Sequence, residues 1–330
     1  MIGRIVSQRS FCRPLRNNIL AAESKTDSIG QYDKFMKTSL MIRQQKNLFG
    51  LCLIVLFTAP WNHVIASPSA ELWPRWAEHD AGSTRTIDHS ALDSLLGRYV
   101  LVQQAGVNRF NYAEVTASDR SRLQSYIATM SAIPISEFNR NQQIAFWINL
   151  YNALTVEIIL QHYPVDTIRE ISYSLFRSGP WREKLVKVEG EALTLDDIEH
   201  RILRPIWKDP RIHYAVNCAA IGCPSIQSTV YRANTTDAML DQAAREFINH
   251  PRAVSINYSE LRVSSLYDWF EQDFGGNAAG VIAHLNQYAD AKLQSSLRDR
   301  KRIGQYHFDW TINDPKSREY GAGRVGQRGS

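Results

Sequence analysis

The chain has 330 residues, 44% of them hydrophobic and 22% charged, with a formal net charge of +5 and four cysteines. Residues 1–66 hold 9 Lys and Arg against 3 Asp and Glu, leaving 29 against 30, a net of −1, for the 264 residues from Ser67 onward. The basic excess therefore belongs to the leader and gives no footing for nucleic-acid binding, while 264 near-neutral residues suffice for a large core.

Leu48 to Ala59 is a twelve-residue apolar run preceded by Arg43 and Lys46 and followed by Val64-Ile65-Ala66. That order of charge, apolar core and small residues predicts a secretory signal peptide over 41–66. The run is shorter than the roughly 20 residues a spanning helix needs. Met41 sits where such a peptide should begin, so residues 1–40 read as a mis-assigned start. Met36 as start, or an uncleaved anchor, are the alternatives. The expected product is exported, periplasmic or extracellular, and meets a membrane only during export. It retains Cys218 and Cys223 alone.

Residues 67–87 read as an extended lead-in whose Trp73 and Trp76 dock on the domain. A single globular domain is predicted over 88–313, with a Gly- and Arg-rich disordered tail over 314–330. Asp88 to Val102 has helical spacing in Leu92, Leu95, Leu96, Tyr99 and Val100, with Asp88 as cap. Val107 to Val115 reads as a short extended piece, and Ser118 to Met130 as a helix capped by Ser118. Asn141 to Tyr163 is apolar nearly all round, which marks a central buried helix, and Pro164 ends it. Asn149 and Asn152 share one face of it and need hydrogen-bond partners there.

Lys184 to Val188, Glu189-Gly190 and Ala192-Leu193 predict a hairpin. Thr194 with Asp197 then forms a capping-box pattern opening a helix with an apolar stripe of Leu195, Ile198, Ile202 and Leu203. Glu199 falls within that stripe, where a carboxylate needs a partner or becomes protonated. His200 and Arg204 lie one turn apart beside it. Thr235 to Asn249 is amphipathic on Leu240, Ala243, Ala244 and Phe247. Val254 to Ser264 reads as a hairpin across Asn257-Tyr258-Ser259, Ala278 to Ala289 as a helix, and Tyr306 to Ile312 as a late strand. Helices and short strands without regular alternation predict an α+β fold: a buried central helix packed on a small, mostly antiparallel sheet.

The densest chemistry lies in Arg211 to Ser225. Alternation predicts a strand over Arg211 to Asn217 with His213, Ala215 and Asn217 on one face; Gly222 and Pro224 then turn the chain around Cys223. Strand ends are where scaffolds present chemistry. Three chemistries stay open for Cys218: a nucleophile served by His213 or His200 as base with Asn149 or Glu199 as orienter; a bridge to Cys223; or zinc with His200, His213 and Cys223. Cys-x4-Cys is wider than common zinc loops and an oxidising compartment works against free thiolates, so no metal is expected. On a straight strand His213 and Cys218 would stand about 16 Å apart, so their pairing needs a fold-back at Asn217. The chain carries no Gly-rich phosphate loop, Gly-x-Ser-x-Gly elbow or His-Glu-x-x-His, so no cofactor is expected. The expected substrate is a small molecule or peptide, and no nucleic acid.

The blocks Ala145 to Ala153, Leu195 to His200 with Leu203-Arg204, His213 to Pro224, and Trp269 with Asp273-Phe274 together resemble the domain of unknown function 547 family, in order, across Leu92 to Tyr288. Asp309 to Asn313 is similar to that family's usual ending. The resemblance implies a site at Asn149, Glu199, His200, His213 and Cys218 without an established activity. Eukaryotic members keep the counterpart of Cys218 where that of Cys223 is often missing, which implies a working thiol over an obligatory bridge. The expected activity is that of a hydrolase or acyltransferase using Cys218. The alternative is a non-catalytic binding domain with a structural Cys218–Cys223 pair.

Overall fold

The computed structural model describes residues 68–104, 106–173 and 178–317, which fall within one compact unit. The fold is α+β, built around a buried helix. That helix, α3 (Arg140–His162), follows α1 (Ser90–Tyr99) and α2 (Ala117–Ser131). Asn139 caps it by accepting from the Gln142 amide at 3.0 Å, and Pro164, which has no amide hydrogen, lies just beyond its end. Its length and mean hydropathy of 1.3 would suit a membrane span, but 89% of its most apolar window is packed inside protein. It is a core helix.

The sheets are small and mostly antiparallel: β1 (Val100–Leu101) with β2 (Arg109–Phe110), β3 (Val186–Val188) with β4 (Glu191–Leu193), and β5 (Val254–Asn257) with β6 (Glu260–Ser264). Strand β7 (Gln305–His307) joins β6 in parallel. Among the described residues, pairing is thus divided among three little sheets instead of one. Both predicted hairpins form, turning at Glu189-Gly190 and Tyr258-Ser259, all four of which adopt positive φ.

Two cores result. The larger collects α1, α2, α3 and the segment after β4. The smaller packs α4 (Thr236–Ile248) and α5 (Ala278–Tyr288) with Tyr214, Val263, Tyr267 and Phe274. Trp76 docks as expected, 5.1 Å edge-to-face from Trp147.

Several local expectations need correction. Helix α2 is capped by Thr116, not Ser118, and α1 starts after an Asp88 turn rather than on it. The late strand stops at His307. Asp314, assigned to the tail, is buried and its carboxylate accepts from the Tyr163 hydroxyl at 2.9 Å. The leader over 1–66 and the tail beyond Ser317 lie outside the described residues.

The largest correction concerns Arg211 to Asn217. The chain there is a 3-10 helix, Pro210–Tyr214, rather than a strand. Asp209 accepts from the Arg211 amide at 2.9 Å and Pro210 occupies the first turn, a helix start that outweighs the alternation.

Candidate active site

The site begins at the hairpin β3–β4. Thr194 and Asp197 form the anticipated reciprocal cap: the Asp197 amide donates to Thr194 Oγ1 at 2.9 Å, and the Thr194 amide donates to Asp197 Oδ2 at 3.0 Å. The cap opens a π-helix, Asp197–Leu203, which leads into a short α-turn, Arg204–Trp207. π-Helical turns are rare and cluster at functional sites. Ile198, Ile202 and Leu203 fill the core behind it, and the consecutive Glu199 and His200 are both buried and line one cavity.

A chain of charged groups runs from the cavity-lining Glu199 and His213 to Asp273 and Arg204 beside them. His213 Nε2 donates to Asp273 Oδ2 at 2.7 Å, and Arg204 Nε donates to the same oxygen at 2.6 Å. His213 Nδ1 lies 3.3 Å from Glu199 Oε1, close enough for an ion pair but out of line for a hydrogen bond. The Phe270 ring stacks on the imidazole at 4.2 Å and 19°, with the Arg204 guanidinium 4.8 Å from the same ring.

These distances set the protonation states. Burial opposes charge on His213, but Asp273 and Glu199 outweigh it and raise its pKa above the usual imidazole value. Burial also opposes ionisation of Glu199; His200, His213 and Arg204 nonetheless bring its carboxyl down to about 2. Asp273 is lowered in the same way, against its own burial, by His213 and Arg204. His200 is moved down by burial, which Glu199 and Asp196 only partly offset. Geometry favours one tautomer: Arg204 Nη1, which can only donate, faces His200 Nδ1 at 3.1 Å. The proton therefore sits on Nε2, whose nearest carboxylate is Asp196 at 3.9 Å. In that tautomer His200 offers the cavity an N–H donor.

The cysteine loop is held from both sides. The Asn217 backbone amide donates to Asn152 Oδ1 at 2.9 Å, and its side chain bonds the Pro224 carbonyl and the Ala219 amide, each at 2.8 Å. Ala219 adopts a positive φ of 57°, so the chain folds back directly after Cys218. Residues 309–313 clamp the far side through Gly222 N to Asp309 O and Ile221 N to Thr311 O, both 2.8 Å. Cys218 and Cys223 are joined in a disulfide, so the lone thiol implied by the resemblance is not the form held here. The pair is asymmetric: Cys223 is 1% exposed, whereas Cys218 is only half-buried and its amide faces Cys223 Sγ at 3.3 Å.

The cavity measures about 580 Å³ and draws lining from both cores. Its floor carries Glu199, His200, His213 and the cysteine pair; its walls are Tyr151, Trp181, Trp269, Phe270, Phe308 and Trp310. Four of the five expected site residues thus meet. Asn149 does not. Its amide grips the Tyr231 backbone, donating to the carbonyl at 2.8 Å and accepting from the amide at 3.0 Å. Asn152 does the same for Ala215 and Asn217. Sequence reasoning named Arg204, Asp273 and Trp269 without assigning them, or Trp181 and Trp310, to the site. Asp273 was within reach, since it belongs to a block carrying the resemblance. Among the described residues, no group of three or more His, Cys, Asp or Glu could hold a metal ion.

A family model described as "Protein of unknown function, DUF547" matches residues 135–248, a span that contains Glu199, His200, His213 and both cysteines but ends before Asp273. No curated protein and no solved structure matches the chain.

Proposed function

The chain belongs to the DUF547 family, and we propose that it is an exported thiol-dependent hydrolase or acyltransferase that works from this cavity once the Cys218–Cys223 bridge is opened. One observation carries the reading: the half-buried Cys218 lines the same cavity as His213, which sits between two carboxylates that favour its charge, and His200, whose Nδ1 faces Arg204. The bridge is the resting, capped form, in keeping with an oxidising compartment.

Two equivalents of a small thiol open it: the first forms a mixed disulfide on Cys218, the second releases it, and the reductant leaves as its own disulfide. The positive charge on His213 then favours the Cys218 thiolate, as a neighbouring imidazolium does in other reactive cysteines. The thiolate attacks a carbonyl carbon, forming the C–S bond. His200 Nε2–H stabilises the oxyanion; Asp273 orients the His213 ring and Arg204 that of His200. The C–O or C–N bond breaks, the leaving group takes a proton from solvent, and water or another nucleophile cleaves the thioester to restore the thiol.

Hydrolysis of 4-nitrophenyl phenylacetate by the full chain, before and after mild reduction, tests this. Turnover should appear only after reduction, vanish in Cys218→Ala, and fall by about 10²-fold or more in His213→Gln. Undiminished turnover in Cys218→Ala, or in the unreduced protein, would refute it.

A further inference from the structure

Large aromatic side chains around a concave surface are usually either packed away or there for a ligand. Here Trp181, Trp269, Phe308 and Trp310 are all only partly buried, and all face one cavity. They brace one another: Trp269 stacks on Trp310 at 5.5 Å and 29°, Phe308 lies 4.6 Å from Trp310, and Trp181 meets Trp310 edge-on at 5.8 Å and 72°. A braced wall is pre-organised to receive a flat ring without reordering its own side chains.

The charges of the lining say what that ring carries. The basic side chains Arg169, Arg182 and His213 are matched in number by the acidic Glu183, Asp196 and Glu199. Most of these are already engaged. Arg182 pairs with Asp196 at 3.2 Å, His213 with Asp273, and Arg169 bonds Ser178 Oγ at 3.2 Å while lying 5.3 Å over the Trp310 ring. A cavity balanced in this way has no net field to attract an anion or a cation. A sugar would also stack on tryptophan, but its hydroxyls need a fringe of unengaged polar groups, and here the polar groups are largely paired with each other.

We infer that this cavity binds a neutral molecule through an aromatic ring seated on the Trp269–Phe308–Trp310 wall, with the carbonyl to be attacked turned toward Cys218. The turning toward Cys218 rests on the hydrolase reading; the seating of the ring does not. A volume of about 580 Å³ accommodates an aryl amide or ester of drug-like size with space for its leaving group.

Calorimetric titration of the full chain with phenylacetamide, phenylacetate, 2-phenylethylamine and methyl glucoside tests the seating. Phenylacetamide should saturate, and both charged analogues should bind at least tenfold more weakly. Trp310→Leu should raise the phenylacetamide Kd at least tenfold; Trp269→Leu provides the same test if the first variant does not fold. Equal or tighter binding of a charged analogue, saturation by methyl glucoside alone, or an unchanged Kd in a folded tryptophan variant would overturn the inference. If phenylacetamide binds as described while the reduced protein turns over no aryl ester, the inference stands and the hydrolase reading falls. If the reduced protein hydrolyses small acetyl esters as well as aryl ones and phenylacetamide does not bind, the reverse holds.

Discussion

His213 shows how much one residue's meaning depends on what the fold places beside it. Alone it is an imidazole near the end of a 3-10 turn; between Asp273 and Glu199, under the Phe270 ring, it is a buried ring whose pKa two carboxylates raise against its burial. Asn149 makes the opposite point. It sits on the central helix of a family block, yet both ends of its amide are spent on the Tyr231 backbone, and it serves the scaffold. Replacing Asn149 with alanine would strand a buried amide and a buried carbonyl. The expected loss is about 2–5 kcal/mol of unfolding free energy, measured by urea denaturation, with turnover per folded molecule unchanged. A catalytic role would give the reverse pattern, a stable protein without activity.

At the scale of elements, the site is made by three segments meeting: the π-helix, the 3-10 turn at Pro210–Tyr214, and the loop from Asn217 to Pro224 clamped by residues 309–313. The clamp is close. A Cβ on Gly222 would lie 2.7 Å from the Asp309 amide nitrogen and 2.9 Å from its carbonyl oxygen. Gly222→Ala must therefore push two backbones apart, with an expected cost of about 1–3 kcal/mol and faster alkylation of the reduced Cys223, read by melting temperature and peptide mapping. How much of this was legible depends on the kind of signal that periodicity records. Helix α3, the Thr194–Asp197 cap and both hairpins were readable because apolar spacing, caps and turn residues are local signals. The anomaly of Glu199 in an apolar stripe pointed correctly to a polar cluster. The π-register was not readable, since apolar spacing does not report which carbonyl each amide reaches. Asp273 stands 60 residues from His213, and only the folded chain pairs them. At Asp209-Pro210 the start of a turn was present in the residues and was outweighed by alternation across the next seven.

For the whole molecule, two further histidines set the response to acid. His89, bonded to the Tyr126 hydroxyl at 2.7 Å, and His284, bonded to that of Tyr214 at 2.8 Å, are each held down to about 4, chiefly by burial. Arg232 adds to this at His89 and His213 at His284; Asp88 and Asp93, and Asp209, pull the other way. Both folded values lie below the unfolded imidazole value of about 6.5, so the unfolded chain takes up protons first. Their contribution is complete above that value and is lost as pH falls toward 4, up to about 3 kcal/mol for each. The melting temperature should drop across that window, and His89→Gln should flatten the drop; a flat profile in the parent chain would contradict it. The bridge matters less to stability. It closes a short loop, with a sequence separation of 5, for which chain entropy gives about 2 kcal/mol. Against the roughly 5–15 kcal/mol of an ordinary domain, the reduced chain is expected to remain folded and to present the thiol form.

The most direct test of that account is the alkylation of the gently reduced full chain by iodoacetamide at pH 6 and pH 8, with adducts mapped by mass spectrometry. A thiolate stabilised by the charged His213 predicts rapid labelling of Cys218 already at pH 6, with Cys223 protected. Labelling of Cys218 that becomes fast only as pH approaches the ordinary thiol value of about 8.5 would contradict it and leave the cysteine pair a structural clasp on a binding cavity.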